Sequence, residues 1–289
     1  MDREASGPRS AVARTVVTAV AVLALAVASV HVPVANLAAQ AQAPYTVTVM
    51  PPGGPAPRLA DGKPDLSGHW FPNSAGQAVS GRFGVDPAAT RQFDPKATPE
   101  EPPAFQPWAL ERIKAMTATE LELSKSSVNC MPRGLPAIWL QNPYTTMIVH
   151  KPGLMVQLYE VLNNWRIVHL DGRPLPDSPE PFFHGNSAAR WEGDTLVVES
   201  IGFDERTYVM PNGWFHSDAL RVTERYTRPS LNYLVVEVTV DDPKVLQKPW
   251  QSAPRRWTLG DGEMYEFYCT NNQTYEELLN LRKQELEQK

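Results

Sequence analysis

Few side chains in this chain stand where they would do chemistry. His216 sits beside Ser217 and Asp218 just before a β-rich run, and imidazole titrates near neutral pH, which makes it the first candidate general acid/base. Asp204, in "GFDERT", is the carboxylate placed to orient it; the plainer role for such an Asp is to cap its own turn. Glu160 ends a strand-like run, either as an acid of raised pKa or as half of an ion pair with Arg166. Arg190, next to Trp191, either steadies a developing anion or stacks across a sheet. Tyr159, Arg166, His184, Asn186, Trp191 and Arg221 complete the polar and aromatic set expected to touch a bound molecule. No Gly-rich phosphate loop, G-x-S-x-G elbow, H-E-x-x-H or C-x-x-C is present, so no cofactor is expected. Two isolated cysteines without matching His spacing give no metal site.

These groups lie in a region whose pattern is short strands separated by turn residues. "LMVQLYEV" and "WRIVHL" flank Asn163-Asn164, and Asn tolerates the left-handed backbone that a tight turn demands. In "ARWEGDTLVVES", Glu192-Gly193-Asp194 reads as a hairpin turn with Gly supplying a positive φ. "LRVTERYT", "YLVVEVTV", "RRWTL" and "EMYEFYC" follow with spacers too short for crossover helices, which implies antiparallel pairing in a barrel or curved sheet over 130–272. Alternation puts Arg221, Thr223 and Arg225 on one face and Val222, Glu224 and Tyr226 on the other. The expected arrangement is a closed sheet with one side packed and a polar or mixed side turned inward around a hollow.

Around that domain the text changes. Of 28 prolines, 15 lie between Pro44 and Pro136, so 42–129 reads as an extended arm, with one helix near 107–124 starting at Pro107. After Cys269 the pattern is helical, over 273–289. At the other end, Arg3, Arg9 and Arg14 precede an apolar run from Thr15 to Val30 and a small-residue stretch, which is the layout of a secretory signal ending at Ala41. Pro33 stops the run short of a membrane span, so an exported protein with no stable span after cleavage is expected. In an oxidising compartment the pair Cys130 and Cys269 is expected to form a disulfide. The net charge of -5, with Lys and Arg scattered, excludes a basic field for nucleic acid.

Several motifs together resemble a widespread family of exported bacterial proteins of unknown function: "PDLSGHW", "LDGRPLP", "ARWEGDTLVVESIGFDERT", "HSDALRVTERY" and "VDDPKVLQKPW". The resemblance spans most of the mature chain and implies no activity. Where that family often has a His, this chain has Asn186, and where it often has an Asp, this chain has Val209. The strand series also resembles lipocalin-like barrels, which implies a lumen for apolar ligands. The function expected first is an exported binding protein for a small apolar or amphipathic molecule. The alternatives are a cofactor-free acid/base enzyme (isomerase, lyase or hydrolase) built on His216, and an envelope interaction protein.

Overall fold

In a computed structural model, residues 51–72, 101–125, 128, 130–140, 144–267 and 272–287 are described. The signal segment 1–41 and Cys269 lie outside them, the latter being one end of the expected Cys130–Cys269 pair.

The chain forms a mainly antiparallel β structure whose principal sheet curls into a nearly closed barrel. Its strands are β1 (Gly68–Pro72), β2 (Thr146–Lys151), β3 (Leu154–Tyr159), β4 (Asn164–His169), β5 (Asn186–Glu192), β6 (Thr195–Ile201), β9 (Arg221–Ser230), β10 (Tyr233–Asp241) and β12 (Arg255–Gly260). The hydrogen-bonded order is β4-β3-β2-β1-β12-β10-β9-β6-β5, with β11 (Trp250–Gln251) added beside β10. β7 (Tyr208–Met210) and β8 (Trp214–Phe215) make a separate ribbon. Thus β4 and β5 are the two ends of the path, and they meet at a seam through their side chains.

The turns follow from the residues that fill them. Between β3 and β4 a single 3-10 turn, Val161–Asn163, puts Leu162 at φ 59° and Asn163 at φ 45°. Between β5 and β6, Glu192 pairs with Thr195 and Gly193 takes φ 61°, so "WEGDT" is a hairpin turn. Asp194 at its tip pairs with Arg58 at 2.6 Å.

Alternation held, but the wet face turns out, not in. On β9, Val222, Glu224 and Tyr226 point inward and are fully buried, and on β10 so do Leu234, Val236, Val238 and Val240. Arg221 and Arg225 stand outside, paired with Glu199 and Glu192. Branched apolar side chains on both sides of the barrel bury far more area facing one another than facing water, which sets the sense of the face. Nor is the lumen hollow. The short helix α3 (Ala137–Leu140) is wholly buried, and Trp139 meets Tyr159, Tyr226 and Trp257 edge-on at 6.3, 5.5 and 5.0 Å between ring centroids. Those partners come from β3, β9 and β12, so this indole sits between walls.

The arm differs from its expected form in two ways. "GHWFP" leaves it to become β1, in the middle of the sheet between β2 and β12. The expected single helix is two, α1 (Pro107–Lys114) and α2 (Ala118–Leu123), because Thr117 and Glu120 form a capping box that starts a new helix. Trp108 donates to the Lys244 carbonyl and Trp250 to that of Glu101, which ties this stretch to the turn after β10. The C-terminal helix α4 (Asn272–Glu287) reaches α2 through Glu285, which accepts from the Thr119 amide. No helix among the described residues is long and apolar enough to cross a membrane.

If Trp139 fills the barrel as described, Trp139→Ala lowers stability by about 3–5 kcal/mol. Urea denaturation reads this directly, and a loss below about 1 kcal/mol would mean the indole is not packed between the walls.

Candidate functional site

Strand periodicity puts an unusual polar group on an otherwise apolar inner wall. Met155, Gln157 and Tyr159 on β3 alternate inward, as do Arg166 and Val168 on β4, and all are buried. Gln157 and Arg166 face each other across the β3–β4 ladder. From there Arg166 spans the seam. Its Nη1 donates to both oxygens of Glu224, at 3.1 and 2.8 Å, and its Nη2 donates to Ser187 on β5 and Ser200 on β6, at 2.8 and 2.9 Å.

The surrounding groups close on one another. The Tyr226 hydroxyl donates to Glu224, Gln157 Nε2 donates to Tyr226 at 3.0 Å, and Tyr159 donates to Gln157 Oε1 at 2.6 Å. Burial, aided by the Glu224 charge, pushes both tyrosine hydroxyls above their ordinary range, so they stay protonated. Burial opposes the charge on Arg166, but Glu224 and the two tyrosines outweigh it and hold the guanidinium cationic.

His184, at the root of the Pro-rich loop, completes the cluster. It is 8% exposed, and its ring lies tilted against that of Tyr159 with centroids 5.1 Å apart. Asn164 Oδ1 accepts from the Trp165 amide, which fixes the carboxamide so that Nδ2 donates to His184 Nε2, at 2.9 Å. Burial first, and the Arg166 charge second, push its pKa down to about 3. The ring is therefore neutral with its proton on Nδ1. Three buried N–H groups here have no partner among the described residues: His184 Nδ1, Arg166 Nε and Trp139 Nε1.

The structure distributes the other sequence candidates among separate networks. His216 is buried, with Nδ1 3.0 Å from the Ser217 carbonyl and Nε2 2.8 Å from Thr207 Oγ1. A carbonyl only accepts, so Nδ1 carries a proton, while the Thr207 hydroxyl beside Nε2 donates its own hydrogen to the Asp204 carbonyl at 2.9 Å. Burial also lowers its pKa, so this histidine is a pin for its loop. Asp204 is held by Arg206 at 2.9 and 2.6 Å, not by His216. Glu160 accepts from the amide and hydroxyl of Thr145, whose hydroxyl also meets His69 at 2.7 Å; the expected pair with Arg166 is replaced by Glu224. Arg190 and Arg221 are on the outer surface with Glu199. Asn186 binds the Glu180 carbonyl at 2.7 Å, and Trp191 lies 5.9 Å from the His150 ring. Only Tyr159, Arg166 and His184 come together.

Two important carboxylates are absent from the site residues expected from sequence. Glu224 stands on an inner row between Val222 and Tyr226, and that placement was its signal. Asp242, also buried, accepts from the amide and hydroxyl of Ser217, both at 2.7 Å, and had no signal beyond turn chemistry. A separate cleft of about 20 Å³, beside Arg133, Arg206 and Tyr208, has room for a water or two. Among the described residues no group of three or more His, Cys, Asp or Glu is placed to hold a metal ion.

Glu224→Ala strands the Arg166 charge and costs about 3–5 kcal/mol in urea denaturation, whereas Arg166→Met with Glu224→Leu recovers most of that loss. If the double variant is as unstable as the single one, the pair is not acting as a buried ion pair. A second prediction concerns pH. As pH falls through 6.5 the unfolded chain protonates His184, while the folded chain resists down to about 3, so stability is full above 6.5 and declines below it. Between pH 6.5 and 4, His184→Asn should lose less stability than the native chain by about 3 kcal/mol. Parallel pH curves for the two proteins would refute the neutral buried ring. Comparison with known proteins finds no match to a family model, a curated protein or a solved structure.

Proposed function

We propose that the protein is an exported binding protein for a small apolar or amphipathic molecule, held at the inner wall of the barrel beside Tyr159, Arg166 and His184. The observation that carries this is the trio of unpartnered buried N–H groups on Trp139, Arg166 and His184. Each such group costs about 1–3 kcal/mol when nothing accepts from it, and apolar side chains at these positions would avoid the cost. Export rests on the layout of the first 41 residues and on the motif resemblance, and the Cys130–Cys269 bridge belongs to the same reading. An acid/base enzyme built on His216, Asp204, Glu160 and Arg190 gains no support, since their side chains serve separate networks.

Native mass spectrometry of the protein exported to a bacterial periplasm tests the reading. The expected result is a mature chain starting at Gln42, two hydrogens lighter than its reduced form, carrying a molecule that denaturation releases. A bare chain that no apolar or amphipathic compound stabilises in a thermal-shift series would overturn it.

A second reading, as an interaction protein, rests on a different surface. The outer face of β2–β4 presents two cross-strand rows of apolar side chains, Met147-Leu158-Trp165 and Val149-Val156-Ile167, with Trp165 60% exposed. A second copy is the occupant to test. Under this reading sedimentation velocity shows self-association that Trp165→Ser with Ile167→Ser abolishes; a native chain that stays monomeric at every concentration rules it out.

A further inference from the structure

Resting on the reading as an interaction protein, we propose that two copies pair face to face through the outer surface of β2–β4, about a two-fold axis that runs across the strands and sets the Lys151 end of each copy on the Glu263 end of the other.

Ends of opposite charge bracket the two apolar rows. At one end, the next row on the same face is Lys151-Leu154-His169, with Lys151 exposed. Asp171 and Arg173, just beyond it, cancel one another at 2.6 Å. At the other end lies the segment after β12. Gly262 anchors it to β1, its carbonyl accepting from His69 Nδ1 at 2.6 Å. Phe267 anchors it to the β3–β4 turn, its amide donating to Asn163 Oδ1 at 3.2 Å and its carbonyl accepting from Asn163 Nδ2 at 3.0 Å. Because His69 pairs with Met147 across β1 and β2, the segment runs along the border of the Met147-Leu158-Trp165 row. Asp261, Glu263, Tyr265 and Glu266 stand exposed on it. None of the nine residues in the three strand rows is acidic. The face therefore runs from a cationic end, across an apolar middle, to an acidic end.

That order is self-complementary in one sense only. A closed pair of identical chains uses the same patch on both, related by a two-fold axis. With the axis along the strands, Lys151 of one copy meets His169 of the other, and like ends coincide. With the axis across the strands, between the two apolar rows, each apolar row covers the other row of the second copy, Trp165 packing on Ile167 and Val149 on Met147. Lys151 then lies over the Gly262 anchor beside Glu263, and His169 over the Phe267 anchor beside Glu266. The apolar rows supply the affinity, while the exposed charges, each pair worth little in water, decide the axis. Rows about 7 Å apart on strands about 5 Å apart give a patch of roughly 20 by 10 Å between backbone centres, well below the ~800 Å² per partner of stable complexes. The pair is therefore reversible, and dilution separates it.

Sedimentation equilibrium of the protein exported to a bacterial periplasm tests the axis. Lys151→Glu alone and Glu263→Lys alone are each expected to weaken self-association at least about tenfold, since each puts like charges at both contacts. Mixed in equal amounts, the two variants are expected to associate as tightly as the native chain, because a pair made of one of each has opposite charges at both contacts. Should either variant fail to fold, the native chain itself must associate more weakly as salt rises, as a screened attraction requires. Association that Trp165→Ser with Ile167→Ser abolishes, but that neither the charge reversals nor salt alters, overturns the axis and keeps the interaction reading. Tighter pairing of Lys151→Glu identifies the axis along the strands and overturns the proposal too. Native chains that stay monomeric at every concentration remove the interaction reading itself.

Discussion

The seam of the barrel is crossed by one side chain, where elsewhere neighbouring strands are joined by a backbone ladder. β4 and β5 end the hydrogen-bonded order of the sheet, and Arg166 on β4 reaches Ser187 on β5, Ser200 on β6 and Glu224 on β9. An open edge exposes unpaired backbone groups, so some device must cover it. Arginine suits the task because its planar fork sends donors to several strands at once, whereas a lysine ammonium is a single point. The cost is a charge in the core, tolerable because Glu224 arrives from the far wall with both oxygens directed at it. Gln157 and Tyr226 hold that geometry from opposite sides of the seam.

How much of this was legible follows from which forces are local. The hairpin at Gly193 and the inner rows of β3 and β9 are written in neighbouring residues, since turn conformation and strand alternation act over two to five positions. The sense of the faces was misjudged because Arg221, Thr223 and Arg225 look like a lining until the opposite wall is seen to be Leu234, Val236, Val238 and Val240. β1 was hidden because it is flanked by prolines and pairs with strands 76 or more residues away in sequence. α3 is four residues long, too short for any periodic signal, although it fills the lumen.

Three members of the site are legible by residue type, and its pairings are not. Tyr159, Arg166 and His184 were singled out by residue type, but a partner is chosen by proximity in the fold. Glu160 stands six positions from Arg166 and looked like its counter-ion; Glu224, 58 positions away, is the real one. His216 shows the same limit. Its neighbours Ser217 and Asp218 suggest catalysis, yet the ring is buried with the Ser217 carbonyl at one nitrogen and Thr207 Oγ1 at the other, and no candidate carboxylate side chain bonds to it. The distinction between a histidine that is used and one that is available lies in donor and acceptor counts, which no spacing rule encodes.

A second contact crosses the same gap. His184 stands two residues before β5 and its Nε2 accepts from Asn164 on β4, so the loop ahead of β5 is tied to β4 independently of the Arg166 fork. The seam is therefore joined by side chains at two points, one through a charged guanidinium and one through a neutral imidazole, where neighbouring strands elsewhere share a backbone ladder.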